Sequence, residues 1–477
     1  MANKKVAPKE ESLPTDNTTW LPQTHTLRPE ERLEAGKSLR QNCSRRSQGE
    51  WTPPADRFDP IGLLIENSQG RLENLVPIRY GRMAASPFAF YRGAAAIMAY
   101  DLSHTPSTGL NIAICGDCHL LNFGGFATTE RRLIFDINDF DEASIAPWEW
   151  DVKRLAASFV IAGRANGLKE SDCREASMFA AQSYRLRMGE IAGMTVLQAW
   201  YDAMDLNEII ANMENKQNRH FYSKKLQQAT DESVREKEFA KLAFLSGDSP
   251  QIIDQPPLIF HYHDSRDQES LHRIARNIND YKNSLLPERR VLLNRYKLVD
   301  SAVKVVGVGS VGTFCGIALL ISGNGDSLFM QFKQARQSVL EPYAGPSPYK
   351  HAGQRVVVGQ RLMQAASDMF LGWYTGSGKF GHHYYVRQLR DAKIKPVVEI
   401  MESSDLKGYA RLCGRALARA HARSGDAAVL TGYLGKSTAF EEAIADFSVA
   451  YADQNERDHA ALVDAIRAGR IEARMEN

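Results

Sequence analysis

Cys115-Gly116-Asp117-Cys118-His119-Leu120-Leu121-Asn122, followed after one strand-like run by Ile137-Asn138-Asp139-Phe140-Asp141, is the stretch on which the reading of this chain turns. Asp117 stands five residues before Asn122, and Asp139 follows the apolar run Leu133-Ile134-Phe135-Asp136-Ile137. A carboxylate, an amide and a second carboxylate in that order supply one proton acceptor and oxygen donors for a hard divalent cation. Such a cation takes one or two protein ligands and fills its shell from water or phosphate oxygens. Asp117 is the candidate for orienting or deprotonating a hydroxyl, with His119 counted beside it, and Asn122, Asp139 and Asp141 are the candidate Mg²⁺ ligands. Singly, each residue also suits a turn or a strand end. The ordered set is what points to chemistry.

Outward from this stretch, residues 110–114 read as a strand leading in, and Trp148-Glu149-Trp150-Asp151 opens a helix over 148–164. Val152, Leu155, Ala156, Phe159 and Val160 share one face of it, and Asn166-Gly167 is its stop. Residues 87–102 carry a helical pattern with Ser86 as cap and Pro87 in the first turn. The 170–245 region is charged and helical, with Met178, Tyr184, Ile191, Trp200 and Ile209 as core anchors. Residues 1–55 are polar and aperiodic, a mobile tail with at most one short helix near Pro29.

Around Leu298 the pattern changes to strands. Val303-Lys304-Val305-Val306, the loop Gly307-Val308-Gly309-Ser310-Val311-Gly312, and the run from Thr313 to Ile321 read as strand, glycine turn, strand. Ser322-Gly323-Asn324-Gly325-Asp326 is a hairpin turn, and Lys333 lies on a third strand. A lone G-x-G-x-x-G is weak, but a β-rich run follows it here where a dinucleotide fold would open a helix. Gly307, Gly309 and Gly312 are therefore candidate phosphate-covering glycines and Lys333 a candidate phosphate partner; the alternative is a hairpin whose glycines only bend the sheet. Helices are expected over 355–371, 408–423 and 440–472, and a strand over 384–389.

With 477 residues and 43% hydrophobic content the chain can bury a large core in two or more lobes. A net charge of +2 without basic runs argues against nucleic acid as a partner. The N-terminal residues lack the apolar core of a signal peptide and no window approaches a membrane span, so a cytoplasmic protein with no membrane partner is expected. Of the six cysteines only Cys115 and Cys118 form a C-x-x-C pair. With Asp117 inside the pair and no second pair at zinc spacing, they read as reduced, partly buried thiols. His261 and His263 share a strand face, with no third ligand nearby in sequence.

Val76-Pro77-Ile78-Arg79-Tyr80-Gly81-Arg82-Met83, Ser86-Pro87-Phe88-Ala89-Phe90-Tyr91-Arg92-Gly93, the Cys115–Gly124 loop and Pro147-Trp148-Glu149-Trp150-Asp151 together resemble an uncharacterised bacterial family, DUF2252, over most of the chain after residue 55. That family is similar to the protein-kinase-like superfamily of aminoglycoside and choline phosphotransferases, whose motif reads H-G-D-x-H-x-x-N, then an apolar strand, an Asp-aromatic pair, and a helix beginning near another Asp. Here Cys115 replaces the first histidine; Asp117, His119 and Asn122 match; Asp139-Phe140 matches the metal aspartate; Asp151 matches the aspartate that braces the loop. The resemblance implies ATP and Mg²⁺ as cofactors. The glycine loop follows the catalytic loop instead of preceding it, and Cys413-Gly414-Arg415-Ala416-Leu417-Ala418-Arg419-Ala420-His421-Ala422 resembles the helix that normally precedes that loop. A circular permutation reconciles the two orders.

The expected fold is thus α+β: a bilobal, circularly permuted protein-kinase-like fold with a helical insertion. Residues 1–55 form the tail, 56–296 the large lobe, 297–400 the small β-rich lobe, and 401–477 a helical return. The expected activity is Mg-ATP-dependent phosphoryl transfer to the hydroxyl of a small molecule or protein. The family pattern also calls for a glutamate pairing with Lys333; the 355–371 helix offers Gln360, Gln364 and Asp368, and Glu341 is a remote substitute. Arg79, Arg82 and Arg92 are candidate grips for a phosphate or an acidic acceptor. The rivals are a nucleotidyl transferase or nucleotide-binding pseudokinase of the same fold, and a metal- or redox-binding protein centred on Cys115, Cys118 and His119.

Overall fold

The computed structural model describes residues 27–213, 215–230, 242–246, 249–261, 268–305, 307–377, 381–389 and 394–475. The chain is a mixed α+β protein in which a helical body meets an antiparallel sheet. The sheet runs in the order Gly372–Thr375, His383–Gln388, Ser327–Ala335, Cys315–Ser322, Tyr296–Lys304, Ile259–Phe260, with every neighbouring pair antiparallel. Residues 317–320 are an unbroken apolar run because the sheet is covered on both faces. Ala318 and Leu320 pack with Tyr281, Leu285 and Met330 on one side, while Ile317 and Leu319 pack with Ile252 and Ala302 on the other. Tyr281 and Leu285 lie upstream of residue 297, so the sheet's core draws on residues that the sequence grouped with the preceding lobe.

Helix Ala352–Met363 falls in sequence between the third and fourth of the long strands and packs against His383–Gln388. It ends before the expected residue 371. Gln364 adopts extended backbone, its amide donates to the Ile137 carbonyl at 2.6 Å, and the Ala365 N–H donates to Asp136 at 2.8 Å, so the following residues are spent on holding the strand Leu133–Ile137.

The helical body centres on Trp148–Ala165, in which every residue from Trp148 to Gly163 is buried. Glu170–Ala192, Ser403–Ala422 and Ala439–Arg467 surround it. Tyr184 joins this core and Ile191 is buried, as expected, whereas Trp200 is 42% exposed. The expected 87–102 helix is two, Pro87–Gly93 and Ala95–Ser103, interrupted at Ala94. Residues 243–245, the end of the region expected helical, are instead strand: Ala243–Ser246 pairs antiparallel with Ser249–Ile252.

The tail expectation is corrected for residues 29–49; residues 1–26 lie outside the described residues. Helix Pro29–Ser38 lies against Ala427–Leu434, where a Cβ on Gly36 would stand 1.9 Å from the Val429 carbonyl oxygen and one on Gly432 2.1 Å from that of Leu33. Two glycines facing each other let the backbones touch, a docking mode that leaves no apolar periodicity in the sequence.

Candidate active site

The loop that carries Asp117 leaves the strand Asn111–Ile114, and Asp151 sets its shape from below. Asp151, 1% exposed, accepts the backbone N–H of Cys115 at 2.8 Å and of Gly116 at 2.9 Å, and His421 Nε2 lies 3.3 Å from the same carboxylate. Gly116 has φ 82°, and a Cβ there would meet the Glu142 carbonyl oxygen at 2.5 Å, so the turn requires glycine. His421 belongs to helix Ser403–Ala422, whose Tyr409 hydroxyl donates to the Leu120 carbonyl at 2.7 Å and whose Arg419 pairs with Asp136 at 2.6 Å. A helix far downstream in sequence thus braces the loop.

Asp117 is held on one side only. Arg154, from the Trp148–Ala165 helix, donates Nε at 2.8 Å and a terminal nitrogen to Oδ1, while Oδ2 faces His119 Nε2 at 3.9 Å, beyond hydrogen-bond reach. The Asp117 side chain keeps 24% of its surface exposed, so one carboxylate oxygen is anchored and the other is open. Burial opposes the Arg154 charge, but Asp117 beside it lifts the guanidinium above its ordinary value. Burial, with Arg92 and Arg154 nearby, pushes the His119 imidazole well down, and its Nδ1 has no hydrogen-bond partner. Asn122 donates its amide to the Asp117 carbonyl at 2.6 Å, and its own backbone carbonyl accepts from Asn138 at 2.7 Å. That second bond ties the Asp117 loop to the Asp139 segment.

Asp141 is where the two halves of the chain meet. Lys333 Nζ lies 2.5 Å from its Oδ2, the Tyr385 hydroxyl donates to Oδ1 at 2.5 Å, and Ser310 of the glycine loop donates to Oδ2 at 3.4 Å. Burial works against both charges of the Lys333–Asp141 pair. Even so, each partner favours the other's ionised form, leaving Asp141 below and Lys333 well above the ordinary value. Asp139, two residues away, is pushed up by burial and then by Asp141, against the pull of Lys333 and Arg387. It accepts the Asp141 N–H at 3.2 Å and no other hydrogen bond among the described residues. Among the described residues no glutamate pairs with Lys333: Glu341 lies 3.9 Å from Arg355, and Arg355 of the Ala352–Met363 helix donates to the Asp141 carbonyl at 2.7 Å.

The glycine loop joins Tyr296–Lys304 to Cys315–Ser322 and rests on the helices before the Asp117 loop. Arg71 donates to the carbonyls of Gly309 at 2.8 Å and Val311 at 2.7 Å, Arg82 donates to Gly307 at 2.5 Å, and the Leu72 N–H donates to Gly312 at 2.7 Å. Gly307 and Gly312 have φ 68° and 84°. The donor set fits a hard cation: Asp139 carries a half-buried, under-bonded carboxylate, and the Asn122 amide oxygen accepts no hydrogen bond among the described residues. Asp141, the third expected ligand, is instead committed to Lys333 and Tyr385.

Arg154, Tyr385 and Ser310 escaped the sequence reading. Arg154 and Tyr385 lie in segments whose visible pattern is structural, Ser310 lies in the glycine loop where only the glycines stand out, and only the fold brings each to a carboxylate. Arg79 is 1% exposed and spends its guanidinium on Ser68 and on the Gly93 carbonyl at 2.9 Å, so it holds helices together and offers no grip. Cys115, Cys118 and Asp151 present ligand atoms within 4.8 Å of one another, and His119 is outside that cluster. Burial pushes Cys115 well up and Cys118 up to about 11, and both Asp151 oxygens already serve the loop, which suits a thiol pair better than a metal centre. His261 sits between Asp254 at 2.6 Å and Asp300 at 3.3 Å; His263 lies outside the described residues.

Among the described residues no helix is long and apolar enough to cross a membrane. No curated protein and no solved structure matches the chain. Residues 71–465 match a family described as an uncharacterized protein conserved in bacteria, and with that span of loop, sheet and helices inside the match the chain belongs to the DUF2252 family.

Proposed function

We propose that the chain is a Mg-ATP-dependent phosphotransferase of permuted kinase-like architecture acting on a hydroxyl acceptor. The observation that carries this reading is the Asp141 junction, where a carboxylate two residues after Asp139 takes Lys333, Tyr385 and the glycine-loop Ser310 at once. Kinase small lobes have a glycine loop between their first two strands and a lysine on the third. Here the loop joins Tyr296–Lys304 to Cys315–Ser322, Lys333 lies on the next strand, directly opposite Cys315, and a helix precedes the last two strands.

Asp117, anchored through Oδ1 by Arg154, presents Oδ2 to orient the acceptor hydroxyl and receive its proton. Asn122 and Asp139 would hold Mg²⁺, which neutralises phosphate charge when bound. Lys333, paired with Asp141 in the free chain, would turn to phosphate oxygens when nucleotide binds, and Asp151 keeps the loop's backbone amides in place. The chain's contribution is positioning and charge complementarity, without a covalent step on the protein.

A second reading, nucleotidyl transfer or nucleotide-binding regulation on the same scaffold, is favoured by Lys333 pairing with Asp141 and with no glutamate among the described residues. ATP labelled at the γ-phosphate in one reaction and at the α-phosphate in another separates the two. Label should leave ATP from the γ position, and Asp117→Asn should cut that turnover about 100-fold or more with nucleotide affinity retained. Transfer of α-label would favour the second reading; no consumption of ATP with any hydroxyl acceptor tried would remove the first.

A further inference from the structure

Arg92 lies within electrostatic reach of the Asp117 and Glu399 carboxylates but makes a direct ion pair with neither. It lies in the last turn of helix Pro87–Gly93, partly buried, with Nε lacking any hydrogen-bond partner and no ion pair to its guanidinium among the described residues. The neighbouring arginines are spent: Arg154 on Asp117, Arg79 on Ser68 and Gly93, Arg71 on the glycine loop. An unpaired, partly desolvated guanidinium costs stability unless a ligand completes it.

Its position says which ligand. Gly309 of the glycine loop approaches so closely that a Cβ there would lie 3.0 Å from the Arg92 carbonyl oxygen, and the carbonyl of the preceding residue, Tyr91, accepts at 3.1 Å from the same Arg154 guanidinium that holds Asp117, so Arg92 stands between the glycine loop and the Asp117 loop. On the Asp117 side, His119 is 5% exposed and its Nδ1 is also without a partner. A cation and a neutral imidazole nitrogen, both unsatisfied and both next to the carboxylate that is open at Oδ2, suit a tetrahedral oxyanion carrying charge on several oxygens.

We infer that Arg92 and His119 form an oxyanion subsite beside Asp117 that takes a phosphate-type group, either the terminal phosphate of the nucleotide or an acid group borne by the acceptor. The existence of the subsite stands on its own geometry; the choice between its two sources rests on the phosphotransferase reading above. Arg92 closes the charge of that group, and His119 supplies a hydrogen bond from Nδ1–H.

The test is a calorimetric titration of the full chain with inorganic phosphate, without nucleotide, for the wild type, Arg92→Gln and Arg92→Lys. Phosphate should bind the wild type, bind Arg92→Lys more weakly, and bind Arg92→Gln about tenfold or more weakly. Melting of Arg92→Gln in phosphate-free buffer should be close to or above the wild-type temperature, since the side chain gives up no hydrogen bond or ion pair among the described residues, which separates loss of binding from loss of folding. Absence of phosphate binding by the wild type, or equal binding by Arg92→Gln, overturns the subsite. Repeating the titration with Mg-ADP and then with a non-hydrolysable Mg-ATP analogue identifies the source. Displacement by the triphosphate alone assigns the subsite to the transferred phosphate, and binding alongside both assigns it to the acceptor. If neither nucleotide binds while phosphate still depends on Arg92, the subsite stands and the phosphotransferase reading falls.

Discussion

Asp139 and Asp141 are two residues apart and differ in what the fold gives them. Asp141 receives Lys333 and Tyr385, each at 2.5 Å, and is held ionised. Asp139 receives one backbone N–H and sits against the Asp141 charge, so burial disfavours its carboxylate. A half-buried, under-bonded carboxylate is a stability cost that a cation relieves. Asp139→Asn should therefore raise the melting temperature of the free protein and abolish its response to Mg-ATP, both read in one thermal-shift series. Lys333→Met should do the reverse to the free protein, because it strands Asp141. The expected loss in urea unfolding is about 2 kcal/mol, below the range for a fully buried broken pair because the Asp141 side chain keeps 28% of its surface exposed.

At the scale of elements, the Ala352–Met363 helix is capped by imidazoles. His351 Nδ1 accepts the Gln354 N–H at 3.1 Å, His383 Nδ1 accepts the Ala352 N–H at 3.0 Å, and the two rings stack with centroids 3.9 Å apart. A protonated imidazole cannot accept, and burial, then His383, pushes His351 down to about 4 from its ordinary 6.5. Between those values the unfolded chain binds a proton that the folded cap refuses, so stability should fall as pH drops from about 6.5 towards 4. His351→Asn keeps a side-chain acceptor at the cap without titrating, and its melting temperature should vary less across that window.

Much of this element order was legible. The Trp148–Ala165 helix with its Asn166-Gly167 stop and the three strands around the glycine turn follow from apolar spacing and turn chemistry, which act over a few residues. The Pro29–Ser38 helix was not legible as docked structure, because its contact is glycine on glycine and carries no apolar stripe.

At the scale of the molecule, side chains from two regions of the chain converge on one carboxylate: Lys333 is 192 residues from Asp141 in sequence and Tyr385 is 244. Asp117, Asn122, Asp139 and Lys333 could be picked out from local spacing alone. Arg154 as the anchor of Asp117, Tyr385 as the second partner of Asp141, and the arginine grip of Arg71 and Arg82 on the glycine loop could not, since each is a meeting of segments far apart in sequence that no local spacing relates.

The convergence can be read directly by amide hydrogen exchange with and without Mg-ATP. Residues 307–312, the Ser327–Ala335 strand and residues 117–122 with 137–141 should all become protected together on adding Mg-ATP, and Asp139→Asn should remove the protection from all of them. Protection confined to one region, or none in either at saturating Mg-ATP, would contradict a shared nucleotide cleft.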